Sequence, residues 1–261
     1  MTPAMELAGR SAIVTGGGGG LGGATTRHLV QLGVGVVVFD RDGERAQALA
    51  SELGTGVVSV RGDVNDDGDV SAATRAAQSV GTLSIVVNVA GGGVGRPTRT
   101  VGRDGTPHDQ QVFVDTMAKN TFGTFNVTRL TAQAMAANEP DEDGQRGVIV
   151  NTGSIAAYDG QVGQVPYAGA KAAILGMTLP LARDLAPLGI RVCAIAPGTM
   201  GTEIMRNASP AILDPLLATI VFPNRMGRPA EFAHLVETII KNPYLNGENI
   251  RLDGAQRFPP K

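Results

Sequence analysis

Ile13-Val14-Thr15-Gly16-Gly17-Gly18-Gly19-Gly20-Leu21-Gly22 decides the fold. A short β-branched run enters a turn built almost wholly of glycine, and an amphipathic stretch, Leu21–Leu32, leaves it. The segment reads as strand, tight turn and helix. Backbone N–H groups at such a helix start carry no side-chain cover and lie at the positive end of the helix dipole, so a diphosphate can approach them. No Lys-Ser/Thr pair follows, which excludes a P-loop. On this segment alone a purely structural turn is the alternative; the spacing Thr15-Gly16-x-x-x-Gly20-x-Gly22 favours the dinucleotide reading.

Outward from the turn, short apolar runs alternate with longer amphipathic stretches. Strands are expected at Ala12–Thr15, Val34–Asp40, Val57–Arg61, Ser84–Val89, Gly147–Thr152, Ile190–Ala196 and Asn249–Leu252. Their cores, such as Val36-Val37-Val38-Phe39, are continuous, as in a parallel sheet covered on both faces. Helices are expected at Leu21–Leu32, Gly43–Leu53, Asp66–Val80, His108–Asn138, Val165–Pro187 and Pro229–Lys241, with a kink at Pro180. The order predicts an α/β fold of Rossmann type, a doubly wound seven-stranded parallel sheet with helices on both faces, in one domain spanning 1–261. Two long connections, Gly91 to Pro107 and Gly198 to Gly227, follow strand C-termini and read as substrate walls, the second with a short helix near Ala211–Ile220.

Composition bounds the rest. The 36 glycines in 261 residues follow no collagen period, and 43% hydrophobic against 18% charged residues disfavours disorder. A net charge of −2 without a basic run gives little attraction for nucleic acid or an anionic membrane. The single cysteine, Cys193, excludes an intrachain disulfide and a cysteine-cluster metal site, and reads as a buried, inert thiol in a reducing compartment. His28, His108 and His234 lack metal-ligand spacing and read as surface helix positions. Met1–Arg10 lacks a signal-peptide core, and no apolar run approaches the ~18 residues of a membrane span. The expectation is a soluble cytoplasmic protein.

Asp40 ends the second strand, where a carboxylate accepts adenosine ribose hydroxyls and repels a 2′-phosphate; this favours NAD over NADP, with Arg41 and Arg45 as contrary cations. Asp63 and Val64 follow the third strand as an adenine contact or, for Asp63, a capping acid. Asn88-Val89-Ala90-Gly91 ends the fourth with small residues that let backbone pass the cofactor. Tyr167 and Lys171, four apart, share one helix face, so an ammonium can lower a phenol pKa from about 10. Ser154 closes the preceding strand and can bond the same substrate oxygen.

These motifs, with Asn120 and Pro197-Gly198, resemble the short-chain dehydrogenase/reductases in order and spacing from about residue 8 to 256. Val89 departs from the usual Asn or Cys. The resemblance implies cofactor contacts from Gly16, Gly20, Leu21 and Gly22, from Asp40, Asp63 and Val64, and from Asn88, Ala90 and Gly91. It adds Tyr167, Lys171, Pro197, Gly198 and Thr202, the last at the nicotinamide carboxamide. It implies that Tyr167 moves the hydroxyl proton, Lys171 tunes it and binds the nicotinamide ribose, Ser154 stabilises the oxyanion, and Asn120 holds a relay water. Gln161 is implied at the substrate.

A narrower resemblance is to the type-2 3-hydroxyacyl-CoA dehydrogenases, through Gly160–Gln164, Met177–Pro187, Asn242–Glu248 and Arg251–Ala255. It implies NAD-dependent oxidation of a 3-hydroxyacyl-CoA by a homotetramer. A 3-oxoacyl-carrier-protein reductase, a hydroxysteroid dehydrogenase and a non-catalytic NAD-binding scaffold are the rivals; Asp40 opposes the first, and the intact Ser154, Tyr167 and Lys171 oppose the last. Arg96, Arg99 and Arg103 read as a solvated loop or as contacts for coenzyme A phosphates, and Met205, Phe222 and Met226 as acyl-pocket or packing residues.

Overall fold

The structure is a computed structural model that describes residues 5–260. Met1–Ala4 and Lys261, the ends of the expected domain and part of the N-terminal reading, lie outside the described residues.

Seven strands form one sheet: β1 (Arg10–Thr15), β2 (Gly35–Asp40), β3 (Val57–Arg61), β4 (Thr82–Asn88), β5 (Gly147–Thr152), β6 (Ile190–Pro197) and β7 (Asn249–Leu252). Their order is β3-β2-β1-β4-β5-β6-β7, and every pairing is parallel. The strands match expectation to within a residue or two, as terminal fraying allows.

Continuous apolar strands feed two cores. Ile13, Val37, Val86, Ile149 and Val192 are register neighbours on one face. They pack on α3 (Asp67–Val80), α5 (Gly123–Met135) and α6 (Val165–Leu185). Val14, Val36, Val87, Val150 and Cys193 point the other way, onto α1 (Gly20–Gln31) and α9 (Pro229–Lys241). Cys193 is free and buried. α2 (Gly43–Leu53) lays Ala46 and Leu49 on Val38. Buried Arg191 on β6 donates to the carbonyls of Ile239 (2.8 Å), Ile240 (2.9 Å) and Leu245 (2.8 Å), so the end of α9 supplies the acceptors that a buried cation needs.

The expected helix His108–Asn138 is instead three pieces. α4 (Gln110–Met117) passes into a π turn, Ala118–Phe122, and then into α5. His108 precedes the Asp109 N-cap and is not helical. His28 is half-buried and paired with Glu237 at 2.6 Å, edge-on to His234. Pro180 lies inside α6, which continues to Leu185. The second long connection carries α7 (Glu203–Arg206) and α8 (Pro210–Leu217).

The chain reverses its direction of travel across the sheet between β1 and β4, and ligands of such sheets bind beside that switch point, at the strand C-termini. The turn after β1 closes there because Gly22 has no side chain: a Cβ would stand 2.1 Å from the Gly16 carbonyl oxygen, which is backbone and cannot give way. Gly22→Ala is expected to cost about 3 kcal/mol or more in a denaturant titration, at the upper end of overpacking penalties.

Candidate active site

β4, β5 and β6 end side by side, and Ser154, Tyr167 and Lys171 meet where the chain passes from β5 into α6. Ser154 follows β5 and caps a short 3₁₀ turn, its Oγ accepting from the Ala156 N–H at 3.1 Å. Tyr167 lies in the first turn of α6, behind Pro166, which occupies a position where no N–H is needed. Lys171, one turn on, is 3% exposed; its Nζ donates to the Thr152 carbonyl at 2.8 Å and stands 5.9 Å from the Tyr167 ring centroid.

The electrostatics differ from the simple expectation. Burial, with Lys119 beside it, lowers the Lys171 pKa to about 8. Burial pushes the Tyr167 phenol up, and the hydrogen bond with Ser154 opposes that rise. At this separation desolvation of the phenolate outweighs the cation. The predicted lowering of the tyrosine pKa is therefore not present in this arrangement.

Asn120 and Lys119 both reach the strand-four loop from the π turn. Asn120 Nδ2 donates to the carbonyls of Gly92 (2.9 Å) and Thr116 (2.8 Å), and its Oδ1 accepts from Gly92 N (2.9 Å). Its side chain thus clamps the loop. A Cβ on Gly91 would lie 2.6 Å from that Oδ1 and 3.2 Å from Lys171 Nζ. Thr15 Oγ1 accepts from the N–H groups of both Val89 and Ala90 at 3.0 Å and fastens this loop to the glycine turn. Asn88 donates to Asn151 Oδ1 at 2.9 Å beneath it.

Asp40 stands at the end of β2, its two oxygens accepting from Gly18 N (3.1 Å) and Asp42 N (3.0 Å). Asp63 Oδ1 accepts from Asn65 N and Nδ2, a loop-capping arrangement, and Val64 is held to α5 through Asn126 (2.9 Å). Thr202 packs against Gly20, where a Cβ would come within 3.1 Å of Thr202 Cγ2. Pro197 ends β6, and Gly198 backs onto Asp253 and Gln256. Leu21 packs on the core. Most of the expected cofactor residues thus line the strand C-termini around the β1/β4 switch.

A cavity of about 160 Å³ adjoins Tyr167, walled by Val94, Arg96, Pro97, His108, Val112 and Gln164 among others. Gln161, expected at the substrate, does not line it. Gln161 pairs with Gln164 and reaches the Pro259 carbonyl, while Gln164 faces the cavity. Met205, Phe222 and Met226 do not line it either, and Phe222 is 81% exposed. Three features escaped sequence reasoning: the Thr15 clamp, the cavity role of His108 and Gln164, and the ion pair between Arg45 and Glu203 that ties α2 to α7. Gln164 carried a signal as the last residue of a string already singled out, and Thr15 as the first residue of the glycine motif; His108 and Glu203 carried none.

A strand–glycine-turn–helix, an acid at the end of β2 and a Ser-Tyr-Lys group at the switch point define an oxidoreductase that binds a nicotinamide dinucleotide. Residues 10–212 match the short chain dehydrogenase family, and the chain belongs to it. It is 47% identical over 256 residues to the 3-hydroxyacyl-CoA dehydrogenase type-2 of Homo sapiens, covering 98% of each chain. The crystal structure of 3-hydroxyacyl-CoA dehydrogenase type-2 from Mycobacterium avium is 49% identical, with a TM-score of 0.96 over 98% of this chain and 99% of that one. A 7 alpha-hydroxysteroid dehydrogenase solved with NADH and 7-oxo glycochenodeoxycholic acid is 28% identical, with a TM-score of 0.84 over 98% of this chain and 97% of that one. No helix among the described residues is long and apolar enough to cross a membrane.

Proposed function

We propose that the protein oxidises the 3-hydroxyl of a 3-hydroxyacyl-CoA to a ketone with NAD, within one domain. The observation that carries this is the convergence of Ser154, Tyr167 and Lys171 beside a cavity open to the Gly91–Pro107 loop. The identity to type-2 3-hydroxyacyl-CoA dehydrogenases over nearly the whole chain supports the substrate class.

NAD held between the glycine turn and Asp40 would supply the hydride acceptor for the carbinol carbon. The protein does the rest. Tyr167 takes the hydroxyl proton as the carbonyl forms. Ser154 donates to the same oxygen and holds it in line. Lys171, which would also bind the nicotinamide ribose, favours the phenolate only while it is charged. Asn120 keeps the Gly92 backbone in place; with its amide spent there, it serves a relay water through its remaining oxygen lone pair or its main chain. Gly16, Gly20, Leu21 and Gly22 would offer backbone to the diphosphate, Asp63 and Val64 would stand at the adenine, and Asn88, Ala90 and Gly91 would let backbone pass against the cofactor. Pro197, Gly198 and Thr202 flank the nicotinamide. Gln161 remains the residue proposed at the substrate, with Gln164, its hydrogen-bond partner, on the cavity wall.

Asp40, held by two backbone donors at the end of β2, supports NAD over NADP, because a carboxylate there would repel a 2′-phosphate. Arg45, a contrary cation in the sequence, is occupied by Glu203. Exposed Phe113, Val114, Phe122, Phe125 and Leu179 supply an apolar surface for the homotetramer, and the single reduced cysteine fits the cytoplasm.

One spectrophotometric panel tests this reading: NADH and NADPH consumption with acetoacetyl-CoA, acetoacetyl-carrier protein and a ketosteroid. NADH with acetoacetyl-CoA is expected to give the highest kcat/KM. Preference for NADPH overturns the role of Asp40, and no turnover of acetoacetyl-CoA removes the substrate.

A further inference from the structure

Lys119 is a residue that the proposed reaction does not use. It sits in the π turn immediately before Asn120, and its Nζ donates to the Gly93 carbonyl at 3.3 Å. A Cβ on Gly92 would lie 3.8 Å from the same Nζ. Lys171 Nζ flanks the neighbouring Gly91 on the other side. The two ammonium groups therefore bracket two successive glycines of the loop that lines the dinucleotide groove.

Its charge has no protein counterpart. Among the described residues, no carboxylate forms an ion pair with Lys119, Lys171 or Arg41. Lys119 is partly buried, and its pKa is lowered first by that burial and then by Arg41. Lys171 feels Lys119 in turn. Lys119 and Lys171 thus flank one loop, and Lys119 lies in electrostatic reach of both Lys171 and Arg41. Unpaired like charges in a partly desolvated place repel one another and lose hydration, so they favour an anion between them.

The order of the cations indicates which anion. Arg41 follows Asp40, at the adenosine ribose, and Lys171 belongs to the nicotinamide ribose. Between two such riboses a dinucleotide carries its diphosphate.

We propose that Lys119 is a dinucleotide-positioning residue whose ammonium, seated on the Gly92–Gly93 backbone, attracts the diphosphate. This rests on the reading of the groove as a dinucleotide site, and the test separates the two. Dissociation constants for NADH and NADPH are measured by fluorescence titration with the full chain, in the wild type, Lys119→Met and Lys119→Arg, at low and high salt. Methionine keeps most of the stem's packing and removes the charge, and a thermal melt establishes that each variant is folded. Lys119→Met is expected to weaken both dinucleotides about five-fold at low salt, as for one partly screened charge at a protein surface. The deficit shrinks at high salt, and Lys119→Arg restores binding.

A wild type that binds neither dinucleotide defeats the groove reading itself. A wild type that binds, with a folded Lys119→Met of equal affinity, overturns the role of Lys119. Loss confined to NADPH assigns the cation to a 2′-phosphate and overturns the diphosphate assignment. Loss confined to the KM for acetoacetyl-CoA assigns it to the substrate, with the same consequence.

Discussion

Tyr167→Phe is expected to lower kcat by about 10²–10⁴-fold, the usual worth of a positioned general acid or base. The substitution removes one oxygen and keeps the ring, so the first turn of α6 and its packing remain. NADH affinity should stay within about two-fold of wild type, because a loss confined to the chemical step leaves ground-state binding intact. Stopped-flow turnover with acetoacetyl-CoA and a parallel NADH titration measure both quantities. Unchanged turnover would sink the mechanism. Collapse of NADH binding would instead make Tyr167 a binding residue. The wild-type pH profile carries a further mark: in this reducing direction Tyr167 acts as the acid, and burial raises the phenol pKa, so reduction should decline only at alkaline pH and that limb should be lost in the variant.

Lys171→Met separates catalysis from stability. Turnover should fall by about 10²–10⁴-fold, since the phenolate loses its cation. Stability at neutral pH should rise. The folded Lys171 has a pKa of about 8 against an ordinary 10.5, because burial penalises the charged form. Between those values the unfolded chain binds the proton and the folded chain has released it, so wild-type stability increases with pH across that window. Below pH 8 both states hold the proton, and the full cost is present, about 3 kcal/mol at about 1.4 kcal/mol for each pH unit. Methionine removes that cost but leaves the Thr152 carbonyl without its donor, a loss of about 1–2 kcal/mol. A net gain of about 1–2 kcal/mol at pH 7 is therefore expected, vanishing at about pH 9 and reversing by about pH 10.5, where only the lost hydrogen bond remains. Urea titrations at pH 7 and pH 10 decide it: a variant less stable than wild type at pH 7 would show that the charged lysine contributes to the fold.

Much of the architecture is legible before folding, for a physical reason. A strand buried on both faces must be apolar without interruption, and Val36–Phe39 or Val148–Val150 permit little else. Gly22 is likewise readable, because no other residue tolerates backbone at 2.1 Å. The helix His108–Asn138 shows the limit. Its apolar period continues across Ala118–Phe122, yet one turn there is wound with an extra residue. Periodicity records which face is buried, whereas the pitch of one turn depends on what the side chains find opposite. Here Asn120 finds Gly92, and Lys119 finds Gly93.

The amino-acid order by itself determined the parallel sheet, the dinucleotide turn and the identities of Ser154, Tyr167 and Lys171, since each follows from local pattern or spacing. Tertiary structure alone decided that Gln164 rather than Gln161 faces the cavity, and that Glu203 engages Arg45. It also decided that desolvation dominates the titration of Tyr167 and Lys171. These depend on distances between segments far apart in the chain and on how much water lies between them, and neither quantity is written in the order of residues.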